Sequence, residues 1–181
     1  MKLKNQHIRS TVLCGLFAAL LTVSAWIQIP GAVPFTLQTM VVSILAVLLD
    51  WRRSMLTTAV YIGLGVLGLP VFSGFTGGIG VLFGATGGFI IGFIPMVVVI
   101  STCKGVFSCS HIMRVMSMVV GTLLCYLTGA VWFAVVYAAR GEAMSVSAVL
   151  SACVLPFVLP ECAKIATAVL ITRRLSPLME R

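Results

Sequence analysis

Long apolar runs, separated by short polar or Pro/Gly breaks, organise this chain. The first run extends from about Thr11 to Ile29 and stops at Pro30, Gly31 and Pro34. The second covers about Thr36 to Leu49 and ends at Asp50-Trp51-Arg52-Arg53, and the third covers about Ser54 to Leu67. A Gly- and Pro-rich stretch, Gly68 to Gly78, precedes a fourth run from about Ile79 to Cys103. A polar loop with Lys104, His111 and Arg114 follows. The fifth run spans about Val115 to Ala139, the turn Arg140-Gly141-Glu142 closes it, and the sixth spans about Ser147 to Thr172 before Arg173-Arg174. A helix needs roughly 20 apolar residues to cross a bilayer. The pattern therefore predicts six transmembrane helices joined by short loops. Spans two and three are short for a full crossing and call for flank extension, tilt or a thinned bilayer. Pro95, Pro156 and Pro160 fall inside spans. There they remove backbone hydrogen bonds, and the freed carbonyls must be met by protein or trapped water.

Composition narrows the class. Of 181 residues, 60% are hydrophobic and 9% charged, with a mean hydropathy of +1.17. Soluble domains carry about 25% charged residues, so these few charges cannot cover a hydrated surface. The expectation is an all-α polytopic membrane protein, one domain over residues 1–181. Six helices use the whole length, which leaves no room for an ATP-hydrolysing module. The basic segment Met1 to Arg9 is read as the flank of a retained first helix. The run after it exceeds a signal-peptide core, and no small-x-small cleavage site precedes the second span.

The net charge is +8, and its placement gives direction. Lys2, Lys4, Arg9, Arg52, Arg53, Lys104, Arg114, Arg173, Arg174 and Arg181 fall on one side of the predicted bundle, and Arg140 alone on the other. By the positive-inside rule both termini are cytoplasmic, as an even number of spans requires. Basic residues at helix ends suit anionic lipid rather than nucleic acid. The 30–36 loop, the 68–78 stretch and the 140–146 turn then face outward.

The sharpest candidate chemistry lies in span six, in Pro160-Glu161-Cys162-Ala163-Lys164. Glu161 and Lys164 are three apart and share a helix face. A charge at bilayer depth costs a few kcal/mol or more, so a polar ligand site facing the bundle interior competes with a self-neutralising packing pair. The outward glycines, Gly77 and Gly78 among them, allow close backbone approach to a ligand. They equally allow close helix packing. No Gly-Lys-Ser or Gly-Lys-Thr follows them, which excludes a P-loop. Val33-Pro34-Phe35-Thr36-Leu37-Gln38-Thr39 sets uncharged donors and acceptors at the mouth of the bundle, with Thr36 alternatively a helix N-cap. In span one, Cys14, Ala18 and Thr22 lie on one face and Gly15 and Ala19 on the next. This small-residue spacing suits a neighbouring helix or a partner protein. The cysteines form no C-x-x-C pair; most sit in apolar runs, while Cys103 and Cys109 flank the basic loop. No H-E-x-x-H and no Gly-x-Ser-x-Gly is present, and the membrane offers too few ligands for a metal. Neither catalysis nor a metal or other cofactor is expected.

The motifs Val33-Pro-Phe-Thr-Leu-Gln-Thr39, Gly68-Leu-Pro-Val-Phe72 with Gly77-Gly78, and Gly84-Ala-Thr-Gly-Gly88 resemble, in order and over essentially the whole chain, the BioY family. These are the biotin-binding S components of energy-coupling factor (ECF) transporters. The resemblance implies a six-helix bundle with one biotin site opening outward. It also implies a partner transmembrane protein and two ATPases that drive reorientation of the loaded bundle, with span one (Cys14, Ala18, Thr22) as the docking face. Some members are thought to act without that module. The family's span six carries an Asp and a Lys three apart after Pro-Gly. Here the matching Glu161 and Lys164 follow Leu159-Pro160, so Glu replaces Asp and the Gly is missing. Ala85 stands where the family often has Pro.

The ligand-binding expectation covers Glu161, Lys164, Thr36, Gln38, Ser73, Gly77, Gly78, Thr86 and Tyr126. Biotin offers two ureido N–H donors, a ureido carbonyl, an apolar ring and a carboxylate tail. Glu161 suits the N–H groups, Thr and Gln side chains suit the carbonyl, and Lys164 suits the tail. The resulting reading is biotin uptake by a binding subunit in the cytoplasmic membrane. Its rivals are an S component for riboflavin or thiamin, and a structural membrane protein in which Glu161 and Lys164 merely pair.

Overall fold

The computed structural model describes the backbone of residues 2–106 and 111–179, and the side chains of residues 8–103 and 112–177. Cys109 and Arg181, and the side chains of Lys2, Lys4, His7, Lys104 and His111, lie outside the described residues. In chain order the elements are α1 (Lys2–Trp26), β1 (Gln28–Ile29), β2 (Phe35–Thr36), α2 (Gln38–Leu48), α3 (Trp51–Val66), α4 (Ile79–Leu82), α5 (Gly87–Val106), α6 (His111–Ala139), α7 (Val146–Cys153) and α8 (Val158–Met179).

Among the described residues, three stretches are long and apolar enough to cross a membrane: Ile8–Trp26, Ile112–Ala139 and Val146–Pro177. Gln38–Leu48 and Gly87–Cys103 are shorter apolar helices. The outer surface supports the same reading. On α6, Met116, Val120, Leu123, Leu127, Val131 and Val135 are all exposed. On α1, Val12, Leu16, Leu20 and Val23 are exposed. Steps of three and four residues make each set one continuous stripe. A water-soluble protein rarely leaves such an apolar surface open, whereas lipid tails cover it without cost.

Three departures from the sequence expectation have local causes. A two-stranded antiparallel hairpin stands between α1 and α2, with Gln28 opposite Thr36 and Ile29 opposite Phe35. Pro30, Gly31 and Pro34 stop the helix, and the chain folds back on itself instead of entering the next span directly. The fourth span is broken between α4 and α5, where the Gly84 carbonyl accepts from Trp132 Nε1 at 3.0 Å. The sixth is broken as well. Val154 leaves the helical region (φ −127°, ψ −57°), and Leu155–Phe157 forms a 3-10 turn. Pro156 cannot donate to the ladder that would join α7 to α8. Pro160 falls in the first turn of α8, where its missing N–H costs nothing.

Helix α2 occupies the centre. Its buried residues run almost without gap from Val41 to Leu48, and it packs against α8, α5 and α1. Helices α5 and α6 form the closest pair, joined through glycine. A Cβ on Gly88 would strike Trp132, and one on Gly92 would strike Thr128 and Cys125. Bare backbone at these positions lets the two axes approach. Two buried hydroxyls bond inside their own helices: Thr57 donates to the Arg53 carbonyl at 2.8 Å, and Ser101 to that of Val97 at 2.6 Å. The loop after α3 is held from α1. Trp26 Nε1 donates to the Pro70 carbonyl at 2.8 Å, and its ring stacks on Phe75 at 4.9 Å.

The small-residue face of α1 is turned inward. Ala18 is buried, Cys14 and Thr22 are partly buried, and Cys14 Sγ lies 4.0 Å from the Arg53 carbonyl of α3. Cys14 thus borders α3 of the same chain, while Cys14 and Thr22 keep part of their surface open. Gly15 and Ala19, one position further round, are exposed.

Candidate functional site

Breaking span six sets Glu161 in the first turn of α8. A carboxylate there faces unpaired backbone N–H groups and the positive end of the helix dipole. One turn on, Lys164 reaches back, and Nζ donates to Glu161 Oε2 at 2.9 Å. Both side chains are about nine-tenths buried (6% and 7% exposed). Lys164 also donates to Thr39 Oγ1 at 3.0 Å and lies 4.1 Å from the centroid of the Phe35 ring. The Tyr126 hydroxyl donates to the same Glu161 oxygen at 3.1 Å. Four elements, β2, α2, α6 and α8, thus converge on one ion pair.

A cavity opens beside this cluster. The space between atoms there, its open mouth included, is about 610 Å³. Its lining includes Thr36, Gln38, Thr39, Ser73, Thr86, Tyr126 and Lys164, together with Phe35, Phe72, Phe89, Phe93 and Phe157. The aromatic wall is ordered. Phe35 and Phe157 are nearly parallel at 6.1 Å, Phe157 and Tyr126 face each other at 6.2 Å, and Phe89 meets Tyr126 edge-on at 6.0 Å. Such a wall takes a flat apolar ring, while the few polar groups fix its orientation.

Of the residues expected at the site, Lys164, Thr36, Gln38, Ser73, Thr86 and Tyr126 line this one cavity. Glu161 stands behind Lys164 and Tyr126, joined to it through them. Gly77 and Gly78 do not line it. Gly78 adopts φ +95° and its N–H donates to the Gly65 carbonyl at 2.7 Å. These glycines shape the loop that carries Phe72 and Ser73. Thr36 is not the N-cap of α2: Leu37 holds that position without a side-chain bond. Instead the Thr36 hydroxyl donates to Gln38 Oε1 at 3.1 Å.

Sequence reasoning left Phe35, Phe89, Phe157 and Thr39 out of the expected set. Phe35 and Thr39 flank the chosen Thr36 and Gln38 in one motif, which is a usable signal. Phe157 carries a weaker one, beside a proline four residues before Glu161.

The chain matches a model of the BioY family over residues 1–181. It is 37% identical over 164 residues to the probable biotin transporter BioY of Pyrococcus horikoshii, covering 90% of this chain and 93% of that protein. It is 38% identical over 131 residues to the biotin transporter BioY2 of Lactococcus lactis subsp. cremoris, covering 72% of each. The biotin transporter BioY of Thermotoga maritima is 49% identical over 88 residues, covering 48% of this chain and 52% of that one. Among solved structures, the S-component for biotin from an ECF-type ABC transporter superposes with a TM-score of 0.82 at 23% identity. That match covers 94% of this chain and 92% of the other, and it shows a shared fold.

Proposed function

The chain belongs to the BioY family, and from that premise we propose that it is a membrane-embedded biotin-binding subunit that takes biotin up across the cytoplasmic membrane. It performs no covalent chemistry. The observation that carries this reading is the buried Glu161–Lys164 pair beside an aromatic-walled cavity. The same bundle could have been closed with apolar residues at lower cost.

The geometry favours one pose. Nζ and Oε2 are 2.9 Å apart, so the pair cannot serve opposite ends of an extended ligand. A ureido head carries N–H and C=O side by side. Lys164 and Gln38 donate to its C=O, Glu161 holds Lys164 and Tyr126 in place from behind, and the fused ring lies among Phe35, Phe89, Tyr126 and Phe157. The carboxylate tail then points toward the mouth, where Thr36, Ser73 and Thr86 offer hydroxyls. This pose replaces the sequence expectation that Lys164 balances the tail.

We assign six crossings, with both termini in the cytoplasm, to α1, α2, α3, α5, α6 and the α7–α8 pair. The cavity then opens outward beside the 68–78 loop, and Arg52, Arg53, Arg173 and Arg174 lie on the cytoplasmic side. Helix α2 has 11 residues, about 16 Å of rise, and its hairpin completes that crossing. Transport requires the loaded bundle to reorient, coupled to an ECF transmembrane protein and two ATPases. The exposed Gly15 and Ala19 of α1 are the small-residue positions left open to such a partner.

A second reading has one observation behind it. Lys164 is already satisfied by Glu161, Thr39 and the Phe35 ring, as a purely structural pair would be. Titrating the purified protein with biotin, riboflavin and thiamin while following its melting temperature separates the readings. A ligand that binds only the folded state stabilises it by about 2.7 kcal/mol at a hundred times its Kd. Biotin alone should raise the melting temperature. A shift with another vitamin supports that vitamin, and no shift with any supports the structural pair.

A further inference from the structure

Tyr61 is the largest fully buried side chain of the protein's described residues. It stands on α3, which contributes nothing to the cavity wall. Its hydroxyl nevertheless ends at the outward 68–78 loop and one hydrogen bond from the site. It donates to the Val71 carbonyl at 3.0 Å, and Gln38 Nε2 donates to it at 2.6 Å.

The direction of these bonds is fixed by chemistry. A carbonyl only accepts, so the single proton of Tyr61 goes to Val71. The oxygen can then only accept from Gln38, which turns Nε2 toward Tyr61. Gln38 Oε1 is turned the opposite way, where it accepts from the Thr36 hydroxyl at 3.1 Å. An amide otherwise has two orientations of similar energy. Here the Nε2 end is chosen by Tyr61, and the Thr36 hydroxyl, which can donate or accept, donates to the end that remains. One Nε2 proton is used on Tyr61, and the second is left for the cavity that Gln38 lines.

We propose that Tyr61 is a positioning residue that locks the Gln38 amide as a hydrogen-bond donor to the ligand, so that the site selects a carbonyl over a donor group at that point. The inference rests on the biotin reading of the cavity. Tyr61 does not touch the ligand; it acts through Gln38. It also meets Phe72 edge-on, with centroids 5.7 Å apart, so its ring must be kept when its hydroxyl is tested.

The probe is 2-iminobiotin, in which the ureido carbonyl is replaced by a cationic guanidinium at neutral pH. It presents N–H where biotin presents an acceptor. Dissociation constants for both ligands are measured by calorimetry on the purified full chain, for wild type, Tyr61→Phe, Gln38→Met and the double variant. Wild type should prefer biotin. Tyr61→Phe frees the amide to rotate, and it should weaken biotin by about tenfold and shrink the preference over iminobiotin by a similar factor. Gln38→Met should do the same, and adding Tyr61→Phe to it should change neither constant more than about twofold. A Tyr61→Phe protein with unchanged selectivity overturns the proposal. So does a Tyr61→Phe loss that persists in full on the Gln38→Met background. Wild type against Gln38→Met tests the donor by itself, and equal selectivity of those two overturns the proposal without the Tyr61 variant. A wild type that binds no biotin instead overturns the parent reading of the cavity.

Discussion

Lys164 and Thr39 lie 125 residues apart in the chain and 3.0 Å apart in the bundle. That bond ties α8 to the first turn of α2, one residue beyond Gln38. It makes the ammonium of Lys164 the meeting point of a carboxylate, a hydroxyl and an aromatic face. The ion pair is therefore a fixed part of the cavity rather than a local feature of one helix.

Removing one partner of this pair should be costly in two ways. Lys164→Ala leaves the Glu161 carboxylate buried and uncompensated, a loss of about 3–5 kcal/mol, and it should abolish detectable biotin binding. The double variant Glu161→Leu with Lys164→Met should recover most of the melting temperature without recovering binding. Thermal unfolding and calorimetry on the three proteins check both parts. Recovery of binding in the double variant contradicts a ligand role for the pair.

Tyr126→Phe deletes the bond to Glu161 while keeping the ring contacts with Phe89 and Phe157. One hydrogen bond to a charged group is worth about 1.5–3 kcal/mol, so the folded state should lose about that much stability, and biotin affinity should fall because Glu161 and Lys164 are held less firmly. The aromatic wall remains, and the variant should still be extracted and purified as a folded protein. Equilibrium binding gives the affinity, and the elution profile reports the fold.

Much of this was legible in the sequence, for physical reasons that can be traced. Glu161 and Lys164 stood out because charge is expensive in lipid and therefore rare. Thr36, Gln38, Ser73 and Thr86 stood out as polar residues beside helix breaks. The aromatic wall was hidden, because Phe35, Phe89 and Phe157 look like any apolar residue until the backbone turns them inward. Tyr61 was hidden for the same reason: its role depends on Val71 and Gln38 arriving from two other segments. The break before Glu161 was half visible, since Pro156 and Pro160 announced a kink but not a separate α7. The inward turn of Cys14, Ala18 and Thr22 was not legible. Small-residue spacing marks a close contact without saying which partner makes it.

Gly65 tests how the loop after α3 shapes the site. A Cβ there would run into the Phe72 ring, which lines the cavity and meets Tyr61. Gly65→Ala should destabilise by about 1–3 kcal/mol, as overpacked cores do, and weaken biotin binding. On the same helix, Gly63 has open space at its Cβ position. Gly63→Ala should leave both quantities unchanged or slightly improved. Equal behaviour of the two variants contradicts the assigned role of Phe72.

The proposed orientation is checked by thiol labelling in intact cells. In a background with the native cysteines replaced, Glu142→Cys should react with a membrane-impermeant maleimide from outside. Arg174→Cys should react only after permeabilisation. The reverse pattern inverts the topology, and labelling of both from outside contradicts a crossing by the α7–α8 pair.

The central claim is met most directly by equilibrium binding of radiolabelled biotin to the purified chain with no partner protein present. Saturable binding, one biotin per chain, displaced by unlabelled biotin but not by riboflavin or thiamin, is the expected result. A folded protein that shows no saturable biotin binding, or whose label is displaced by another vitamin, contradicts it.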